Sequence, residues 1–543
     1  MSNEQQETSS PAPLIPAIPV AAAAASPKTP NHIQHPQTTA AALIEHSLSS
    51  GGVSLSQVFQ TILVALARVF DAQQSFISIF TDANPQWHCV AGPHHQQQHC
   101  NSDADICKLD HGSWAWTGTK SKTIISDWSL ECSSAVIMSL PASAFFVGCL
   151  IGGLIFPTLS DTKLGRRNLL LLSCSTMSAF SLITISSTNI WVYTLIRFLT
   201  GLGRSSIGPC VVVLVSEKVG QRWRGRVVMF SYLCFSVGFL TLAGIAYANR
   251  DQHWRLLYLW TSVPGVAYSV VAYFLVMESP AWLLIKGRGA EAHSVLQRLA
   301  PWNDYTNEVY KLIIEHPNSS SNNDALASAF RSYFSSMRLL FSSKWNLRRI
   351  IPIILIASGI GVVYFGIPLG VGNLGFDIYL SSVLNALIEI PSFVITIFLV
   401  ERYSRRGSLL LFCTVSGGLS VGCAMISEVA AWVRVVVEMG AFVTGCVACN
   451  VVSIYTTELF PVKVRNTAVA VMWEAIMLGA VLAPVFVKLG KQHIFLSYGV
   501  FGVVIVTFGL FAVVLPETKD MGADLLVCEE GEAAGSNPQH INC

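Results

Sequence analysis

Charged side chains stranded inside apolar stretches are where this chain could do chemistry. Glu389 sits in Ala386-Leu387-Ile388-Glu389-Ile390-Pro391, and Glu474 lies inside the apolar run 467–489. Arg197 falls within 190–215, Arg68 and Asp71 within 57–80, and Arg434 and Glu438 within 431–455. An ionisable group at membrane depth costs about 3 kcal/mol or more, so by default it marks a substrate path or an ion relay. A carboxylate such as Glu389 could attract a cation or carry a coupling proton; its structural alternative is a pair with a helix arginine. Asp71 could neutralise Arg68 three residues before it, and Glu438 could neutralise Arg434 four before it. Groups of this kind bind and release ions. No catalytic triad or metal cluster stands out, so the chain reads as a non-enzyme without a cofactor.

The elements that must position these groups follow from composition. Over half of the 543 residues are hydrophobic and 12% are charged, about half the charge of a soluble domain. That is a membrane composition. A net charge of +2 suggests no nucleic acid, and the absence of Gly-x-x-x-x-Gly-Lys-Ser/Thr disfavours ATP. Twelve stretches are long enough to span a bilayer, each about 20 mostly apolar residues. They run 57–80, 134–159, 168–188, 190–215, 227–249 and 255–277, then 348–370, 377–400, 408–427, 431–455, 467–489 and 494–515. The expected organisation is a disordered tail over 1–50, a first six-helix bundle over 51–277, a linker over 278–347, a second bundle over 348–515 and a tail over 516–543. The alanine run 21–25 has no basic region before it and does not read as a signal peptide.

Lys and Arg in short loops set the orientation. Lys163, Arg166 and Arg167 follow the second span; Lys218, Arg222, Arg224 and Arg226 follow the fourth; Arg402, Arg405 and Arg406 follow the eighth; Lys463 and Arg465 follow the tenth. Both termini are therefore expected in the cytoplasm, with the long loop 81–133 on the other side. That loop holds Cys89, Cys100, Cys107 and Cys132. An even count on an oxidising side suggests disulfides, with three pairings open. A zinc site is the rival, since His88, His94, His95, His99 and His111 share the loop, but the spacings match no standard pattern.

Charged landmarks then repeat. Asp161 with Arg166 and Arg167 recurs 240 residues on as Glu401 with Arg405 and Arg406; Glu217 with Arg224 recurs 241 on as Glu458 with Arg465; Glu278 recurs 239 on as Glu517. Three patterns at one offset indicate a duplicated six-helix unit, the arrangement that places a binding site midway between halves. Helix flanking explains the arginines but not the acids. These carboxylates are expected to bind arginines of neighbouring loops and hold the cytoplasmic side shut.

At these residues the chain resembles the major facilitator superfamily, and within it the organic cation/carnitine transporters, most closely the plant members. The resemblance covers roughly residues 40–520. It rests on Phe70-Asp71-Ala72-Gln73-Gln74, Ser160-Asp161 through Gly165-Arg166-Arg167, Trp223-Arg224-Gly225, Met277-Glu278-Ser279-Pro280, Glu458-Leu459-Phe460-Pro461 with Val464-Arg465-Asn466, and Pro516-Glu517-Thr518. Ala281 departs from the arginine that the family commonly places there.

The resemblance implies an all-α membrane protein with twelve transmembrane helices in two pseudo-symmetric six-helix bundles. It matches Glu389 to a family glutamate, Tyr364 to a tyrosine near the substrate path and Asn450 to a polar position. Aromatic faces attract quaternary ammonium by about 0.5–2 kcal/mol, so Tyr364, Tyr232 and Phe235 are candidate contacts; packing is the alternative for each. Animal members place an aspartate at the position of Met477. Glu474 lies three residues earlier on the same helical face and could supply that charge, or serve a loop arginine instead. Arg197, in Arg197-Phe-Leu-Thr-Gly201-Leu-Gly203, resembles a motif linked to proton coupling, with a structural salt bridge as the alternative; Asp71 is the other coupling candidate.

The expected function is movement of small organic cations or zwitterions, carnitine-like or polyamine-like, by alternating access. Its partners would be that substrate, coupling protons and the surrounding membrane lipid. A proton-linked sugar porter is the first alternative, though the Gln-Gln pair of such carriers is missing from Tyr364-Phe-Gly-Ile-Pro-Leu; a non-transporting nutrient sensor is the second. Plasma membrane and plant vacuole are both open, with Glu7 before Leu14-Ile15 a faint acidic dileucine signal.

Overall fold

The computed structural model of the chain describes residues 44–49, 52–90, 106–109, 113–119, 121–160, 164–300, 325–426, 431–491 and 493–518. Among them are twelve helices long and apolar enough to cross a membrane. They are α1 Leu55–Thr81, α2 Ala135–Phe156, α3 Gly165–Ser186, α4 Ile190–Glu217, α5 Gln221–Ala248 and α6 Trp254–Leu275. The second half holds α7 Lys344–Asn373, α8 Ile378–Val400, α9 Arg405–Met425, α10 Ala431–Leu459, α11 Val464–Leu489 and α12 Ile494–Val514. In hydrocarbon every backbone N–H and C=O needs an internal partner, and a helix supplies them all. The helix starts are marked by short polar side chains. Asn189 accepts the amides of Trp191 and Val192 at 3.1 and 3.0 Å, Asp377 accepts that of Leu380 at 2.8 Å, and Ser404 accepts that of Gly407 at 3.0 Å.

Odd-numbered helices of each half begin at one side of the bundle, here the linker face; the opposite side, carrying the connection from α1 to α2, is the loop face. Two compact units are distinguished. Ile62–Leu214, Ser231–Glu278 and Ser321–Cys543 make up the helical body, and Met1–Thr61, Val215–Phe230 and Ser279–Ser320 make up the other. In the smaller unit the buried Ile44 and Leu48 anchor a short N-terminal helix. Its Glu45 accepts the amide of Gln221 at 2.6 Å and pairs with Arg224. The buried Lys218 ammonium donates to Gln60 at 2.9 Å. Ser279 caps the helix Pro280–Ile285, and a second linker helix covers Gly289–Leu299.

Inside the body, small residues let helices touch backbone to backbone, as packing in lipid requires. A side chain on Gly238 of α5 would collide with the Val69 backbone of α1; one on Gly479 of α11 would collide with the Ser358 backbone of α7. The two glycines are 241 residues apart (479 − 238), so the sequence repeat is also a packing repeat. Their partners stand 289 apart (358 − 69), because the first half carries the long loop between α1 and α2.

That loop adds the one β element among the described residues. Trp87–Cys89 pairs antiparallel with Trp114–Trp116. Cys107 is joined to Cys132, and Cys89 is disulfide-bonded as well. Cys100, His94, His95, His99 and His111 lie outside the described residues. His88 meets Thr117 Oγ1 at 3.3 Å, and no group of three metal-ligating side chains occurs among the described residues. Asp127 holds the loop to α6 through Arg255 at 2.9 Å and the Trp254 indole at 3.2 Å.

Candidate functional site

Glu389 lies about midway along α8, two residues before Pro391. Proline there removes the amide that would bond the Leu387 carbonyl, which loosens the helix beside the carboxylate. The Glu389 side chain is buried. Tyr364 of α7 donates its hydroxyl to Oε1 at 2.5 Å, and Ser236 of α5 donates to Oε2 at 2.9 Å. The carboxylate is thus held by hydroxyls from both halves, with the helix arginine Arg68 as a neighbouring positive charge and not a direct ion pair.

Aromatic pairs are frequent among the helices that meet here. Tyr364 packs against Phe365 and Phe442, Tyr232 stacks on Phe393 at 5.8 Å, and Phe76 stacks on Phe239 at 4.2 Å. The Arg68 guanidinium lies 4.7 Å over Phe235 and 5.7 Å from Tyr232. Both rings therefore already face a cation, and such faces attract one by their quadrupole.

Asp71 joins two arginines. Arg68 reaches it at 2.6 Å within α1, and Arg204 of α4 reaches its other oxygen at 2.5 Å. Neutralising only Arg68, as its spacing suggested, is half of the arrangement. Arg204 also approaches Cys149 Sγ at 3.6 Å and Met477 Sδ at 3.7 Å, so it touches α11 of the second half. Sequence reasoning missed Arg204, although it stands two helical turns after Arg197 and so on the same face of α4.

Arg197 is fully buried and does not pair with Asp71. It donates to the Gln74 carbonyl at 3.2 Å and to Ser78 Oγ at 3.1 Å, and lies over Phe145 at 4.3 Å. Toward the loop face follows an unforeseen layer. Asp82 Oδ1 accepts Thr81 at 2.8 Å and Tyr193 at 2.9 Å, and Tyr193 meets Tyr258 at 2.8 Å. Lys488 of α11 donates to the Asp82 carbonyl, tying the halves together. Burial pushes the Asp82 carboxyl above its ordinary value, and Arg197 and Lys488 pull it back in part.

Glu474 sits where Gly153 of α2 leaves room: a side chain on Gly153 would enter its carboxylate. One oxygen is buried without a hydrogen-bond partner, and Arg204 is the neighbouring positive charge. Among the described residues no loop arginine holds it. Asn450 of α10 donates to Thr396 of α8 at 3.3 Å. Arg434 and Glu438 do not neutralise each other. Arg434 donates to the carbonyls of Leu374 and Ile426, and Glu438 accepts from Asn385.

At the linker face three of the repeated acids, Glu278, Glu458 and Glu517, bind groups of their own halves. Glu278 accepts the Arg167 amide at 3.0 and 3.2 Å, and Glu517 accepts the amides of Arg405 and Arg406 at 2.9 and 3.3 Å. In each half the last acid caps the third helix, where free amides attract an anion. Glu458 binds the Arg405 guanidinium at 3.1 Å and Thr518 at 2.8 Å. Arg465, seven residues after Glu458, donates instead to the Phe460 carbonyl at 3.3 Å. Likewise Arg224 takes Glu45 and the Ser216 carbonyl. Arg166 opens α3 and Glu217 closes α4; Asp161 and the side chain of Glu401 lie outside the described residues.

The model of the Sugar (and other) transporter family matches residues 74–524. Organic cation/carnitine transporter 3 of Arabidopsis thaliana is 41% identical over 472 residues, 86% of this chain and 89% of the relative. Organic cation/carnitine transporter 2 of that plant is 42% identical over 482 residues, 88% and 90% of the two chains. The human organic cation/carnitine transporter 2 is 31% identical, covering 77% of this chain and 74% of its own. Among solved structures, the inward open xylose transporter of E. coli superposes with a TM-score of 0.61 at 15% identity, over 87% of this chain and 99% of the other. That likeness concerns the fold alone.

Proposed function

We propose that this chain, which belongs to the Sugar (and other) transporter family and there to the organic cation/carnitine transporters, is a secondary carrier that moves small organic cations or zwitterions by alternating access. It is a membrane transporter and not an enzyme. The observation that carries the substrate reading is Glu389: a buried carboxylate at the junction of the halves, with only hydroxyl partners, among aromatic rings. A bound ammonium head would give the buried carboxylate a direct countercharge beside the more distant one of Arg68, and the rings would accept its methyl groups. Carnitine-like and polyamine-like molecules fit that chemistry. Glu474 offers a second negative charge, and Tyr364, Tyr232 and Asn450 line the route.

Proton coupling is assigned to Asp71 in this reading, with Arg197 holding the following turns of α1 through Gln74 and Ser78. Protonating Asp71 would release Arg68 and Arg204 together. Membrane voltage alone gives a monovalent cation about 2.3 kcal/mol per 100 mV, roughly fifty-fold accumulation. The basic short loops put the linker face and both termini in the cytoplasm, and the plasma membrane or the plant vacuolar membrane is the site of action. A fluorescent fusion separates those two.

Uptake by the full chain in oocytes, with tetraethylammonium, carnitine and glucose as competitors, tests the substrate class. Competition by tetraethylammonium and carnitine is the expected result. Competition by glucose alone would sink it in favour of a sugar porter. Flux without a partner protein excludes a pure sensor.

A further inference from the structure

The second half holds a buried polar cluster that the central site does not use. Glu438 of α10 is fully buried; Oε1 accepts the Asn385 amide of α8 at 2.9 Å, and Oε2 has no hydrogen-bond partner. Asn385 is fully buried too, and its Oδ1 is unpartnered. Ser381, one turn nearer the loop face on α8, is fully buried with an unpartnered Oγ. Positions 381 and 385 share one helical face. The Asn385–Glu438 hydrogen bond joins α8 to α10 here, and Ser381 stands on the Asn385 face of α8 one turn away. Each buried oxygen without a partner costs about 1–3 kcal/mol, and three together mark a place built for something electropositive.

The nearby ionisable groups do not supply it. Arg434, one turn earlier on α10, is the natural partner by spacing. Its two Nη groups go to the Leu374 and Ile426 carbonyls at the loop face, at 3.5 and 2.7 Å, and its Nε is itself unpartnered. Tyr498 of α12 donates to the Ile367 carbonyl at 3.4 Å, and Cys423 of α9 donates to the Arg434 carbonyl at 3.5 Å. Glu438 is thus left as one negative charge facing neutral oxygens. One carboxylate suits a monovalent ion, and oxygen donors suit a hard one.

We propose that Glu438, Asn385 and Ser381 form a site for a monovalent cation, Na⁺ or a proton, inside the second half, separate from the proton coupling assigned to Asp71. Its connection to the centre is α8 itself. Ser381, Asn385, Glu389, Ser392 and Thr396 are all buried and follow at intervals of four, four, three and four residues. This polar stripe runs from the cluster to the Glu389 carboxylate one turn away. A cation at Glu438 fixes the position of Asn385 and so the register of α8 at Glu389.

The test is the melting temperature of the full chain in detergent, which needs no transported substrate and so stands apart from the substrate reading. Wild type, Glu438→Gln and Ser381→Ala are titrated with NaCl against KCl at constant ionic strength, and separately with pH. For Na⁺, wild type gains stability saturably, E438Q loses the gain, and S381A shifts the midpoint at least threefold. For a proton, Na⁺ changes nothing, E438Q flattens the pH profile, and S381A shifts its midpoint. Unchanged Na⁺ and pH responses in E438Q overturn the site. Should E438Q fail to fold, Asn385→Leu decides: a wild-type midpoint and pH profile in that variant are equally fatal.

Discussion

The hydroxyl of Tyr364 lies 2.5 Å from Oε1 of Glu389, so an aromatic side chain of α7 restrains the acid of α8 at the junction of the halves. Hydrogen bonds to charged groups are worth about 1.5–3 kcal/mol. Tyr364→Phe keeps the ring and removes the donor. Initial-rate uptake of tetraethylammonium by this variant should show a KM changed by about tenfold, with surface expression near normal. A wild-type KM would mean that the hydroxyl does not set the acid's behaviour toward substrate.

Gly153 and Glu474 make a second pair. A methyl at Gly153 would occupy the space of the Glu474 carboxylate. Gly153→Ala should therefore reproduce the transport phenotype of Glu474→Gln, and the double variant should be no worse than either. Additive losses would show that the two residues act separately.

The linker-face pairing ranks two arginines that the repeat treated alike. Arg405 holds Glu458 and presents its amide to Glu517, whereas Arg465 reaches one carbonyl. Arg405→Ala leaves a partly buried carboxylate without its cation, a loss of up to about 3–5 kcal/mol when burial is full. Turnover and melting temperature should fall more for Arg405→Ala than for Arg465→Ala. The reverse order would restore Arg465 as the main partner.

The loop-face layer predicts a pH response. Burial raises the Asp82 carboxyl from its ordinary 3.8. The folded state therefore binds a proton there more readily than the unfolded chain. Its stabilising contribution is present below the ordinary value and is lost as pH rises through the raised one. Asp82→Asn should flatten the melting temperature against pH from about 4 upward. A profile with the wild-type slope would exclude Asp82 as its source.

Much of the candidate site was legible because charge inside a hydrocarbon span is conspicuous. Glu389, Glu474, Asp71 and Arg197 stand out from their neighbours in type alone. Ser236 and Phe393 did not, since serine and phenylalanine are common inside membrane helices. Lys488 was hidden at a helix end, where lysine is expected to reach the interface.

Hydropathy and the 240-residue repeat by themselves determined a two-fold bundle of twelve spans, because span length and loop charge are local properties of the chain. Only the tertiary structure decided which charge meets which. Glu458 chose Arg405 over Arg465, Asp71 took Arg204 as well as Arg68, and Glu438 was left without Arg434. The reason is geometric: an ion pair depends on how separate helices pack and where their side chains end. Spacing along one helix offers partners, and the neighbouring helices select among them.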